Sequence, residues 1–243
     1  MKKVSVFLFL FFAAVLDGDA AGRIVKQDGA TMEGEVTGVS GDQVQVKLEA
    51  GTIGMSLSQI KSVEMPAPKE IAALQADPNP APATVLATAE PLVKNFEGLP
   101  ADWLVDALVL IGNAYASQGD YEKSAAVFEK IKKTYGDRSY SLEANLGLAR
   151  VALKQNRVDD ALPLLQPLLA KARESISHSP SESRMYGEAF LLDGQALEAK
   201  GDAPGAFEAY LTANIFNQDP AAFQVADGKA QALRTSHPGL KVP

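Results

Sequence analysis

The stretch that decides the fold is WLVDALVLIGNAYASQGDYEKSAAVFEKIKKTY, residues 103–135. Apolar residues recur in its first half at intervals of three and four, which predicts an amphipathic helix. Gly119 and Asp120 then end that helix and cap another, because glycine favours helix ends and aspartate accepts hydrogen bonds from free amides at helix starts. The second half carries the answering apolar face, which includes Tyr121, Ala125, Phe128 and Ile131. The stretch therefore predicts two antiparallel helices.

A frame of small, turn and large residues occurs three times along the chain. Its members are Gly112/Gly119/Ser124/Phe128, Ala149/Asn156/Ala161/Leu165 and Gly194/Gly201/Ala206/Tyr210. The intervals within each copy are seven, five and four residues. Three unrelated helix pairs would have to reproduce this spacing by accident, so the frame favours an internal repeat.

The frame resembles the tetratricopeptide repeat, a helix-turn-helix unit of about 34 residues. This resemblance implies an all-α solenoid of helical hairpins, which we place at residues 84–236, with residues 221–233 as its capping helix. The middle copy carries Pro163 and Pro167 in its second helix, and Pro167 is expected to bend it. An insertion around residues 175–184 precedes the third copy, and its serines and proline predict an exposed loop.

A small β-domain is predicted ahead of the repeats, at residues 22–65. Apolar and polar residues alternate there with a period of two, most clearly from Gln43 to Glu49. Turn signals divide the segment into five short strands, an arrangement that resembles an SH3-like or Sm-like small barrel. The predicted fold class is thus α+β with several domains: a five-stranded N-terminal β-barrel followed by an all-α solenoid.

A short helix and a proline-rich linker are predicted at residues 66–83, between the two domains. Lys69 to Ala76 has room for two helical turns, and three prolines between Asp77 and Pro82 exclude a helix across that run. Helical spacing resumes at Thr84, and Pro91 predicts either a kink or a later start.

The first 20 residues have the pattern of a secretory signal peptide. Lys2 and Lys3 precede an apolar run from Val4 to Leu16, and small residues follow at Gly18 and Ala20. We predict cleavage after Ala20 and a periplasmic or secreted protein without a membrane span. The alternative is an uncleaved membrane anchor, although the apolar run falls short of the roughly 20 residues that span a bilayer.

Composition excludes several classes of function. The formal net charge of −7 disfavours nucleic acid as a partner, and the acidic β-domain has no aromatic residue on which a base could stack. The chain has no cysteine, which excludes disulfides and thiolate metal sites. Neither His178 nor His237 has a helical metal-ligand partner, and no catalytic motif is present. We therefore predict a protein that is not an enzyme and uses no metal or cofactor.

The resemblance also implies a binding surface, the concave face lined by the first helix of each repeat. Its polar members in this sequence would be Asp106, Asn113, Ser117, Glu143, Arg150, Lys154, Glu188, Gln195 and Glu198. The partner-binding candidates among them are Asn113, Ser117, Arg150, Lys154 and Gln195.

A basic pair within this set suggests the ligand. Arg150 and Lys154 stand four residues apart on one helical face, and arginine can hold a carboxylate through two hydrogen bonds. Our hypothesis is that an acidic or C-terminal peptide segment docks between the first and second repeats. The alternative is that the two basic residues pair with Glu143 or Glu188 across the groove.

The sequence thus predicts an exported scaffold that binds a protein or peptide partner. The alternative is a cell-envelope coordinator associated with peptidoglycan or Tol-Pal-like machinery. Proteins of that kind usually have an N-terminal coiled coil where this chain has a β-domain. A carbohydrate-binding module is disfavoured, because the single tryptophan, Trp103, fits the helical core. Oligomeric state is left open by the sequence.

Overall fold

The structure is a computed structural model that describes residues 21–136, 140–174, 177–216 and 220–240. The predicted signal peptide and part of the insertions between repeats lie outside these residues. The chain divides into two compact units, the first ending at Pro66 and the second beginning at Ala67.

Five antiparallel strands form the first unit, as the sequence predicts. They are β1 (Ala21–Lys26), β2 (Thr31–Ser40), β3 (Gln43–Leu48), β4 (Gly51–Ser56) and β5 (Ile60–Glu64). The strand order β4-β3-β2-β1-β5 leaves β4 and β5 at the two edges, so the sheet is open and not a closed barrel. A 3₁₀ helix, Leu57–Gln59, lies at the turn predicted between the last two strands.

Alternation along the strands builds the core of the first unit. The buried residues are Ile24, Val36, Val44, Val46, Met55, Ile60 and Val63. Gly34 lets β2 pass close to this core, because a Cβ at that position would lie 2.5 Å from the Val46 side chain. A register shift between Val36 and Gly38 adds a local bend to β2.

Helices alone form the described part of the second unit. They are α1 (Lys69–Ala76), α2 (Pro82–Asn95), α3 (Asp102–Ser117), α4 (Tyr121–Tyr135), α5 (Tyr140–Lys154), α6 (Val158–Glu174), α7 (Pro180–Ala199), α8 (Ala203–Phe216) and α9 (Pro220–Ser236). Consecutive helices pack against each other along the chain in a solenoid of helical hairpins. Helix α1 has the predicted bounds. None of the described helices is both long enough and apolar enough to span a bilayer.

Two helix starts differ from the sequence predictions. Helix α2 begins at Pro82 and not Thr84, and it continues through Pro91. Helix α7 begins at Pro180, so the second half of the predicted exposed loop is helical. In both cases proline occupies the first helical position, where its missing amide costs no hydrogen bond. Helix α6 is a different case, because it is continuous from Val158 to Glu174 with both of its prolines inside.

The repeat frame is confirmed by backbone geometry at its turn position. Gly119, Asn156 and Gly201 all have positive φ angles, of 81°, 59° and 79°. These left-handed residues end the first helix of each hairpin, as glycine or asparagine does in helix C-terminal motifs. The nine other members of the frame are buried. The first, second and third hairpins are therefore α3–α4, α5–α6 and α7–α8.

Phe128 connects the first hairpin to the second. Its side chain is 1% exposed, as expected for a member of the apolar face of the second helix. A Cβ added at Gly112 of α3 would lie 2.7 Å from the Phe128 ring, and one added at Gly147 of α5 would lie 2.3 Å from it. The ring thus fills space that both glycines leave open. Gly194 receives Tyr210 in the same way within the third hairpin.

Candidate partner-binding surface

The first helices of the three hairpins are adjacent, since α3 contacts α5 and α5 contacts α7. Their exposed and half-buried side chains form what we call the first-helix surface. Its polar residues are Asp106, Asn113, Ser117, Glu143, Arg150, Lys154, Glu188, Gln195 and Glu198. All of the partner-binding candidates from the sequence lie on these three helices.

Arg150 is the centre of a network that spans all three helices. Its Nε and Nη2 atoms donate to Glu188 Oε1 of α7 at 2.8 and 2.5 Å, and its Nη1 donates to Asn113 Oδ1 of α3. The pairing with Glu188 is the alternative that the sequence left open for Arg150. The guanidinium is half-buried, and its ion pair with Glu188 already compensates its charge before any partner arrives.

The remaining candidates differ in their exposure and in their hydrogen-bond and ion-pair partners. Lys154, one helical turn beyond Arg150, is exposed and has no ion pair within the described ranges. Ser117 donates to the Asn113 backbone carbonyl at 2.9 Å, a local bond within α3. Gln195 is half-buried on α7. Asn113 and Arg150 are therefore brought together, whereas Lys154 is the candidate left available to a ligand.

Glu143 of α5 and Asp106 of α3 form an acidic pair on the first-helix surface, and Glu143 lies nearer the start of α5 than Arg150 does. Burial raises the pKa of Glu143, and repulsion from Asp106 adds to the effect. Burial is also the main cause that raises the pKa of Asp106, and repulsion from Asp102 raises it further. A 3.3 Å hydrogen bond from Gln75 Nε2 of α1 acts in the opposite direction. No lysine or arginine of the described chain pairs with either carboxylate.

Glu198 connects the third hairpin to α9. It accepts hydrogen bonds from Tyr210 Oη at 2.7 Å and from Lys229 Nζ of α9 at 3.0 Å. The Tyr210 hydrogen bond is the main reason why the pKa of Glu198 is lowered. Lys229 is not among the residues predicted from the sequence, because α9 is expected there only to cap the solenoid. Extending the first-helix positions into α9 would have drawn attention to it.

The other polar and aromatic candidates have structural roles. The His178 ring lies 5.0 Å from the Tyr186 ring and 5.4 Å from the Phe216 ring, centroid to centroid. Trp103 is buried and packs edge-on against Phe96 at 5.2 Å, as expected of a core residue. Within the residues that the structure describes, no three histidine, aspartate or glutamate side chains form a group that could hold a metal ion.

Comparison with a model of the tetratricopeptide repeat family gives a match over residues 115–178. This range runs from the end of α3 through α6, so the resemblance read from the sequence is confirmed for the second helix of the first hairpin and for the second hairpin. A search of curated proteins found no match.

Several solved structures are similar to this chain. MamA 41-end from Desulfovibrio magneticus RS-1 is 20% identical, with a TM-score of 0.41, over 64% of this chain and 87% of that one. A putative kinesin light chain from Podosopora anserina with nearly identical TPR-like repeats is 15% identical, with a TM-score of 0.46, over 65% and 77%. BtubC from P. vanneervenii is 15% identical, with a TM-score of 0.28, over 71% and 72%.

Proposed function

We propose that this chain is an exported, non-catalytic scaffold that binds a protein or peptide partner on its first-helix surface. The observation that carries the proposal is the row formed by Asn113, Arg150 and Glu188, one residue from each of three successive hairpins. A ligand that runs along α5 would cross this row at Arg150, between the residues from α3 and α7. The family match supports a scaffold, because repeats of this type present extended surfaces to other proteins.

The charge pattern along α5 favours an extended segment with a preferred direction. Lys154 forms a basic end, since Glu188 already pairs with Arg150, and Glu143 with Asp106 forms an acidic end. Eleven residues separate Glu143 from Lys154 on α5. At 1.5 Å per residue this is about 16 Å, the length of about five residues of extended chain.

The preferred ligand is therefore a segment whose acidic residue or terminal carboxylate meets Lys154, with a basic side chain about five residues away towards Glu143. Lys154 is the first contact for the carboxylate, because it is exposed and no described residue forms an ion pair with it. Arg150 joins only if the ligand competes with Glu188 for its guanidinium. Asn113 would hold the ligand backbone through its side-chain NH₂ group, since its Oδ1 already accepts from Arg150.

The test is binding of short synthetic peptides to the full chain, measured by fluorescence anisotropy. Peptides with a free terminal carboxylate or an acidic cluster are compared with amidated and neutral versions. We expect Lys154→Glu to weaken binding of the acidic peptides by at least about tenfold, the effect of losing about 1.4 kcal/mol. Added salt should weaken the wild-type complex as well.

The matched control is Lys133→Glu, the same charge change on an exposed residue of α4, outside the first-helix surface. This variant should bind like the wild type. The double variant Arg150→Glu/Lys154→Glu is then checked for its fold by circular dichroism. Unchanged peptide affinity in a folded double variant would remove the first-helix surface from the proposed function.

A further inference from the structure

Strand β4 has a free edge in the open sheet. It pairs with β3 on one side, from Leu48↔Gly51 to Gln43↔Ser56. The first of these pairs closes the two-residue turn Glu49–Ala50. Hydrogen-bonded and non-hydrogen-bonded pairs alternate along the ladder from there, so Val46↔Ile53 is a hydrogen-bonded pair. The backbone amides and carbonyls of Thr52 and Gly54 consequently point away from β3. Within the described residues they make no turn, loop or cap hydrogen bond.

This edge lacks the features by which proteins usually block strand pairing. Edge strands are commonly protected by charged side chains, proline or short length. The β4 sequence GTIGMS contains no charge and no proline, and its first four residues are exposed. Ile53 is 40% exposed, one of four large apolar side chains in the described chain with such exposure.

The opposite edge of the sheet is protected. Strand β5 carries Lys61 and Glu64, and Glu64 accepts a hydrogen bond from Arg23 at 3.3 Å. The two edges of one sheet thus differ in charge. Only β4 combines free backbone groups, an exposed apolar side chain and no charge.

We propose that β4 pairs with β4 of a second copy of this chain, antiparallel and centred on Ile53, to form a symmetric dimer. The free amides and carbonyls require an extended strand as the occupant. A two-fold axis through Ile53 sets this residue against its own copy, so each exposed isoleucine covers the other. An uncharged strand meets its copy without like-charge repulsion.

The surrounding charges fit this register. Glu49 comes to lie beside Leu57 of the second copy and not beside the second Glu49. Lys47, the cation nearest to β4 on β3, is already paired with Glu35 at 2.9 Å. The interface lies in the first unit and does not depend on the first-helix surface, so the two proposals stand or fall separately.

A single introduced thiol tests the register, because the chain contains no cysteine. Ile53 directs its backbone groups towards β3 and therefore faces its copy as a non-hydrogen-bonded pair. Such pairs have Cα atoms about 4.5 Å apart, within the range that a disulfide bridges. With oxidised glutathione as the oxidant, the Ile53→Cys variant should form a disulfide-linked dimer at least about tenfold faster than the Ala30→Cys variant. Ala30 is the control because it lies in an exposed turn of the same unit.

Light scattering after size-exclusion chromatography provides the second measurement. The wild type and Ala30→Lys should be dimers, and Ile53→Lys should be a folded monomer, since it places two cations opposite each other. A monomeric wild type would overturn the proposal and leave the β4 edge to an extended segment of a different protein. A dimer that survives Ile53→Lys, or equal linking of the two cysteine variants, would also overturn it.

Discussion

Phe128 fills a space formed by glycines on two different helices, Gly112 of α3 and Gly147 of α5. Removing its ring leaves a cavity that the helix backbones cannot collapse to fill. We expect Phe128→Ala to lower the free energy of unfolding by about 3–5 kcal/mol, measured by urea denaturation. Glu129→Ala, at the exposed neighbouring residue, should change it by less than about 0.5 kcal/mol. A loss below about 1 kcal/mol for Phe128→Ala would contradict the packing described above.

Asn156 is the turn residue of the second hairpin and the one described non-glycine residue with a positive φ angle. Alanine in this left-handed conformation costs about 1–2 kcal/mol, because its Cβ approaches the following carbonyl. Asn156→Ala should therefore lower the thermal midpoint by several degrees, at about 2–4 °C per kcal/mol for a protein of this size. Asn156→Gly serves as the control and should keep or raise the midpoint. Equal loss in both variants would show that the asparagine side chain, and not the backbone conformation, is what matters.

Residue spacing in the sequence was sufficient to predict the buried frame and its three turns. It was not sufficient to predict Gly147, because that glycine contacts a ring from the preceding hairpin and lies outside the local interval pattern. The partner of Arg150 was also undecided, since Glu143 and Glu188 both lie on the first-helix surface. Only the packing of α5 against α7 selects Glu188. Side-chain pairing between helices depends on distances that a one-dimensional pattern does not contain.

At the scale of whole elements, the sequence at the start of α7 contains a helix-start signal within a segment that is predicted to be a loop. Ser179 accepts from the Glu182 amide at 3.3 Å, and Glu182 accepts from the Ser179 amide at 2.8 Å. This capping box, with proline at the first helical position, is a recognised helix start. The serines and the proline also predict a loop, because the same residue types favour both structures.

The capping box leads to a prediction for the start of α7. Ser179→Ala removes the side-chain acceptor and should cost about 0.5–2 kcal/mol of stability. Hydrogen exchange should report the loss locally, with faster exchange of the amides in the first turn of α7. Arg184→Ala, at an exposed residue of the same helix, leaves the cap in place and should leave those amides protected. Equal exchange in the wild type and Ser179→Ala would contradict the assigned cap.

The carboxylates on α3 and α5 give a pH-dependent prediction. The pKa values of Asp106 and Glu143 are raised in the folded protein, so the folded state binds protons that the unfolded state has released. Their contribution to stability therefore falls as pH rises from the ordinary carboxyl range, about 4, through the raised values. Glu143→Gln removes a charge that burial disfavours and that Asp106 repels, so it should raise the thermal midpoint at pH 7.

That gain should shrink as the pH approaches about 4, where the wild-type carboxyl groups bind protons themselves. Glu129→Gln is the control, with an exposed carboxylate on α4, and should have little effect at either pH. Thermal unfolding of the three proteins at both pH values makes the comparison. A gain of the same size at pH 4 and pH 7 would assign the effect to packing instead of charge.

At the scale of the whole molecule, the order of a β-domain followed by helical hairpins was predictable, because the hydrophobic period changes from two to that of a helix. The open sheet was not predictable. A barrel closes only if its two edge strands form hydrogen bonds with each other. The apolar period along each strand does not reveal whether they do. The proposed β4 dimer would use one of these free edges. It would place two first-helix surfaces in one particle, and a partner with two binding segments would then gain from an effective concentration in the millimolar range.

Export is the last prediction, and it also concerns the whole chain. Cleavage after Ala20 would release a protein that begins at Ala21, the first residue of β1, which pairs with Glu35 of β2. The cut would thus leave the sheet complete. In a bacterial host that expresses the full chain, the envelope fraction should contain protein whose intact mass matches a start at Ala21. Ala20→Phe places a bulky side chain where signal peptidase requires a small one and should keep the precursor uncut, whereas Asp19→Asn should still be processed. A wild-type protein that keeps its first 20 residues in the envelope would favour the membrane anchor, because a cleavable signal and a retained one differ in that single cut.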